Sequence, residues 1–166
     1  MSDFNILSHE KEQLDRLGQE FMAALQLKES GRLDDAQESL TSILKQEPRL
    51  AEPRMELARI LLDTDRVEEA EEHARQALGD LENHGQWVED LAENTVMALA
   101  HALLAEALRR RADEDDIIFG DPDTFTGLLN ESRNHFSKAA ELDPSDAYSS
   151  YHAFFMGPEN SEKKES

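Results

Sequence analysis

The sequence predicts an all-α protein made of stacked antiparallel helical hairpins. Aliphatic residues recur at three- and four-residue spacing through most of the 166 positions, as one face of a helix requires. A pattern of charged, aliphatic and alanine positions repeats after 34 residues. Glycine, proline and aspartate fall between the periodic runs, where chains turn.

Taken in order, the pattern predicts helices over residues 8–29, 33–46, 51–63, 67–81, 86–112, 124–141 and 145–156. These make three hairpins and a C-terminal capping helix. Gly31 is placed to end the first helix in a left-handed conformation. Pro53 after Glu52 fits the first turn of the third helix, where a missing N–H costs nothing. Trp87, Leu91, Val96, Leu99, Leu103, Leu104 and Leu108 keep helical spacing for about seven turns, so the fifth helix is read as long. Residues 113–123 then form a loop that enlarges the third hairpin. Asp143-Pro144 reads as an N-cap with proline in the first turn. Tyr148, Tyr151 and Phe155 line the last helix, and Gly157-Pro158 stops it. Residues 1–158 are thus expected to form one domain, with 159–166 a disordered polar tail.

The repeat is specific at the residue level. Gly31-Arg-Leu-Asp-Asp-Ala36 matches Asp65-Arg-Val-Glu-Glu-Ala70, and Ala24, Leu27, Arg32, Leu33 and Leu44 fall on Ala58, Leu61, Arg66, Val67 and Leu78. A partial third copy runs through Phe136, Ala139, Ala140 and Leu142 to Ala147. Small alanines let two helix backbones approach, and the apolar stripes are too wide for one helix to hide, so neighbouring repeats have to stack.

This pattern resembles the tetratricopeptide repeat, a helix–turn–helix unit of about 34 residues. Ala24, Leu27, Ala36, Leu40, Ile43 and Pro48 fill its places in the first copy, and Leu57, Ala58, Leu61, Ala70, Ala74 and Ala77 in the second. The second copy has Glu82 where the closing proline belongs, and Ser132 replaces the crossing alanine in the third. The resemblance implies a right-handed α-solenoid of about three repeats, and a concave groove lined by the first helix of each hairpin in which a partner peptide or helix binds. Projected onto this chain, the groove residues are Met22, Leu25 and Glu29; Glu56, Arg59 and Asp63; and Asn94, His101 and Ala105. Family members that grip a chaperone's C-terminal carboxylate use lysine, arginine and asparagine there. This chain has Gly18, Met22 and Glu56 at the comparable places, which disfavours that role. A basic or amphipathic segment suits such a groove better.

Composition narrows the function classes. The chain carries 37 acidic and 17 basic residues, a formal charge of -20, which repels nucleic acid and anionic membranes. The acidity has two readings, a surface for a basic partner or plain solubility, and the second is the commoner. There is no cysteine, which removes disulfides and thiolate chemistry. The start MSDFNILSHEKEQ is acidic where a secretory signal is basic, and no apolar run nears about 20 residues, so a cytoplasmic protein is expected.

Chemistry-bearing motifs are few. The loop Asp113 to Asp123 is rich in acid, but calcium-loop spacing fails: counting from Asp113, the fifth and sixth places hold Ile117 and Ile118. Ile117, Ile118 and Phe119 either tuck against the hairpin or form an exposed anchor, with tucking the favoured reading. The histidines, His9, His73, His84, His101, His135 and His152, form no pair at helical ligand spacing, and His101 reads as a packed or hydrogen-bonded residue. Trp87 reads as a packing anchor. Asp34-Asp35 and Glu68-Glu69 read as helix-start charge. No cofactor or metal is implied, and catalysis is not expected. The leading function is a protein–protein adaptor or scaffold; the alternative is a dedicated secretion or assembly chaperone for one client, with an enzyme a remote third. Self-association is a further possibility.

Overall fold

The computed structural model describes residues 2–145, which hold seven α-helices and no strand. The expected helix at 145–156, its stop at Gly157-Pro158 and the tail at 159–166 lie outside the described residues. The chain divides into two compact units, with the boundary between Arg49 and Leu50.

The first unit is a hairpin of α1 (Ser2–Glu29) and α2 (Leu33–Gln46). Leu17, Phe21 and Ala24 on α1 and Ala36, Leu40, Ile43 and Leu44 on α2 are buried, the stripe that the spacing predicts. The turn is closed by Gly31 at φ +82°, with Arg32 N–H donating to Leu27 O at 2.9 Å, the long bond of a left-handed helix cap.

The second unit begins with the hairpin of α3 (Ala51–Asp63) and α4 (Val67–Glu82). Its turn repeats the first, although Asp65 holds the left-handed place at φ +63°, and Arg66 N–H reaches Leu61 O at 2.8 Å. The end of α4 does the same with His84, also at φ +63°, and Gly85 N–H on Asp80 O at 2.6 Å. Ala70, Ala74 and Ala77 of α4 have no exposed surface, so α3 and α5 can approach α4 closely.

α5 (Glu93–Ala112) packs against α3, α4 and α7 and is correspondingly apolar on nearly every side. It starts seven residues later than the periodicity predicts. Residues 86–92 are instead an irregular loop: Trp87 and Val88 N–H bind the Glu52 carboxylate at 2.7–2.9 Å, and the Gln86 amide donates to Val88 O and Leu91 O. Apolar spacing persists through the segment because Leu91 is still buried.

α6 (Asp115–Ile118) is a single turn inside the expected loop. α7 (Pro122–Leu142) lies along α5, with Asp121 capping Asp123 N–H at 3.1 Å and proline in its first turn. The Ser132 that replaces the crossing alanine is 3% exposed, and its hydroxyl donates to Ala105 O at 2.7 Å. Serine is small enough for the crossing, and this bond satisfies its oxygen. Asp143 accepts Ser145 N–H at 3.1 Å; any helix it begins lies outside the described residues.

Candidate functional site

The first helices, α1, α3 and α5, carry the projected groove residues. In the first unit, Met22 is 48% exposed and Glu29 is exposed, whereas Leu25 lies in the core. In the second unit α3 is almost wholly buried, and only Arg59 and Asp63 of the projected set reach its surface. Asn94, in the first turn of α5, is exposed, and His101 is half-buried.

Three projected residues are therefore corrected. Leu25 and Glu56 are 5% and 6% exposed, and Ala105 is fully buried, so none of them offers a contact surface. For Ala105 the cause is α7, which lies over that side of α5 and brings Ser132 to the Ala105 carbonyl. At the other end of α5, Arg110 donates to Leu62 O of α3 at 2.7 Å, which holds the ends of these two first helices together.

Ion pairs stiffen the scaffold beneath. Arg75 of α4 grips Glu131 of α7 with two bonds of 2.8 and 2.9 Å and also holds Glu71, which in turn accepts from Arg111 of α5 at 2.8 Å. Arg54, 6% exposed, joins Asp80 at 3.1 Å and the His73 ring at 3.3 Å. Because arginine can only donate, His73 Nδ1 accepts and the ring is neutral. Burial, reinforced by the Arg54 charge, holds its pKa below the ordinary imidazole value.

The sequence offers no sign of a cross-helix histidine pair that the described residues contain. His101 of α5 and His135 of α7 place their Nδ1 atoms 2.9 Å apart, with ring centroids at 5.1 Å. At those distances the nitrogens lie close to the line between the rings and face each other. Two ligands of one cation would aim at a common point off that line, so the geometry is that of an N–H···N hydrogen bond. Among the described residues no three histidine, cysteine or acidic side chains converge as a metal group. Glu131 lies 3.7 Å from His135 Nε2, which favours a proton on that nitrogen and makes His101 the donor through Nδ1.

Both rings are held neutral. Burial, then the charges of His135 and Lys138, pulls His101 down to about 4; burial lowers His135 as well, against the pull of Glu131. The groups facing the pair are Glu131, Lys138 and, through Glu131, Arg75 of α4. A folded pKa below the unfolded one gives stability that is full above about 6.5 and is lost as pH falls toward 4. The histidine pair's contribution to the unfolding free energy is therefore expected to fall by roughly 1 kcal/mol between pH 7 and 5, after allowance for the solvent that reaches the partly exposed rings. Denaturant titrations at the two pH values measure this, and His101→Gln is expected to reduce the difference; an equal fall in the variant would assign it to other groups.

With the helices in place, the comparisons have a structure to rest on. The tetratricopeptide repeat family model matches residues 27–88, from the last turn of α1 through α2, α3 and α4 to the loop at Val88. Over that stretch the chain is similar to tetratricopeptide repeats. Among curated proteins no match is found. Tetratricopeptide repeats generally mediate protein–protein interaction, and their proteins are typically not enzymes. Among the described residues no helix is long and apolar enough to cross a membrane.

Proposed function

We propose that this protein is an adaptor that holds a basic or amphipathic segment of another protein against its first-helix surfaces. The contacts lie in the second unit, on Arg59 and Asp63 of α3 with Asn94 and His101 of α5; Met22 and Glu29 of α1 are exposed on the first unit. The observation that carries the reading is the form of α3. It lies within the matched repeat region, packs on α4 and α5 and is buried along most of its length, with Arg59 half-buried and Asp63 exposed. The charge of -20 favours a cationic partner and speeds its arrival. Met22 gives α1 an adaptable apolar contact.

The test is affinity capture from native lysate at low and high salt, repeated with Asp63→Lys. Glu56 is buried and unsuitable for reversal, whereas Asp63 is exposed and can change sign without loss of helicity. A retained partner that added salt releases and that binds at least about fivefold more weakly to the variant supports the proposal. Equal retention by both proteins would remove the acidic surface from it.

A further inference from the structure

The sequence favours tucking Ile117, Ile118 and Phe119 away; the structure leaves Ile117 half-buried and does the reverse for the other two. Phe119 is 84% exposed and Ile118 48% exposed. The cause is local. α6 is one turn long, and the chain must leave it at once to start α7 at Pro122.

The turn is nevertheless firmly made. Ile118 N–H donates to Glu114 O and Phe119 N–H to Asp115 O, each at 2.9 Å. At Gly120 the backbone passes so near the Asp116 carbonyl that a Cβ there would sit 2.5 Å from its oxygen, so only glycine fits without a shift. Phe119 is thus an exposed aromatic ring on a hydrogen-bonded turn, and little backbone freedom is lost if it is buried.

Its surroundings say what could cover it. Residues 113–123 carry six carboxylates and no lysine or arginine. Asp113 pairs with Arg109 at 3.6 Å and Asp121 is used as a cap, while Asp115 and Asp116 stand exposed beside the apolar pair. Burial and the nearby Asp116, Glu68 and Asp65 raise the pKa of Glu114, a sign of carboxylates crowded without enough counter-charge. An apolar anchor inside an anionic rim repels a membrane of acidic lipids. It fits an apolar surface edged with cations.

We infer that the α6 corner is a second docking surface, on which Phe119 and Ile118 pack against the apolar face of a basic amphipathic helix from another protein while Asp115 and Asp116 pair with its lysines or arginines. This surface is separate from the strip at Arg59, Asp63, Asn94 and His101, and does not depend on that reading. Asn94 marks the far end of α5, about 28 Å from Asp113 by helical rise.

The probe is a synthetic amphipathic helix with a leucine face flanked by lysines, titrated into the full chain by fluorescence anisotropy. Phe119→Ala is expected to weaken binding about tenfold without altering charge or helicity, since the ring supports no core. Asp115→Asn with Asp116→Asn is expected to remove much of the salt dependence, while Asn94→Lys reads out separately any peptide held at the first-helix surface. Phe119→Ala within twofold of the parent would overturn the inference. So would loss on Asn94→Lys alone, which would place the peptide on the first-helix surface and leave only the earlier proposal standing. Sedimentation gives the third reading: a dimer that Phe119→Ala abolishes would make a second copy the occupant and overturn a basic partner.

Discussion

Glu52→Ala is expected to destabilise the second unit by roughly 3 kcal/mol, more than any surface substitution in the chain. Glu52 has no exposed surface, and its carboxylate accepts Trp87 N–H and Val88 N–H at 2.7–2.9 Å. Next to it, Ala51 N–H donates to Gly85 O at 3.0 Å, so two consecutive residues of α3 hold the loop that leads into α5. Alanine leaves two amide groups without their acceptor, at about 1–3 kcal/mol each, offset by no longer burying a charge. Glu52→Gln keeps one acceptor oxygen but turns an amide N–H toward the backbone donors, and is expected to recover about half of the loss.

The pH dependence separates this role from simple space-filling. Burial pushes the Glu52 pKa above 4.5, and this outweighs the backbone N–H bonds that favour the anion. A raised folded pKa gives a contribution that is full below 4.5 and shrinks as pH rises through the folded value. The gap between the parent and Glu52→Gln in urea unfolding is therefore expected to widen from pH 8 to pH 5. A constant gap would mean that the carboxyl titrates alike in the folded and unfolded chains.

Glu52 also shows where sequence reasoning stops. In the sequence it is one more acid in a first turn, like Asp34, Asp35, Glu68 and Glu69, all of which suit a helix N-terminus. What distinguishes it is a pair of backbone donors 35 and 36 residues away, in a stretch whose own apolar spacing imitates a helix. Hydrophobic period reports which side chains are buried, and Leu91 is buried with or without a helix around it. The helices α2, α3 and α4 were legible to within a residue because period, repeat and turn chemistry agree there.

The surface was less legible than the core. A repeat register orients a helix, but whether a position is open depends on what later elements cover it. Ala105 and Glu56 sit on first helices as projected and are buried there. His101 reads as a lone residue in the sequence because its partner lies 34 residues on, across a helix pair, where spacing along one helix cannot find it. Hydrophobicity favours the interior for Phe119 over an exposed anchor, and one short turn with an obligatory glycine keeps it outside.

The second large effect concerns the repeat itself. Ala70→Phe is expected to lower stability by about 3 kcal/mol or more, and Ala36→Phe by a comparable amount in the first unit. Both alanines are fully buried, and Ala70 begins the stripe continued by Ala74 and Ala77 on the α4 side facing α3 and α5. A phenyl group there has no space to enter. It must separate backbones that approach only because a methyl group lies between them, at the high end of the 1–3 kcal/mol typical of overpacking. Ala140→Phe is the control, since this alanine belongs to the same repeat pattern but is exposed. Urea unfolding followed by circular dichroism measures all three, and a loss at Ala70 no greater than at Ala140 would mean that the small-residue crossing does not govern how these helices pack.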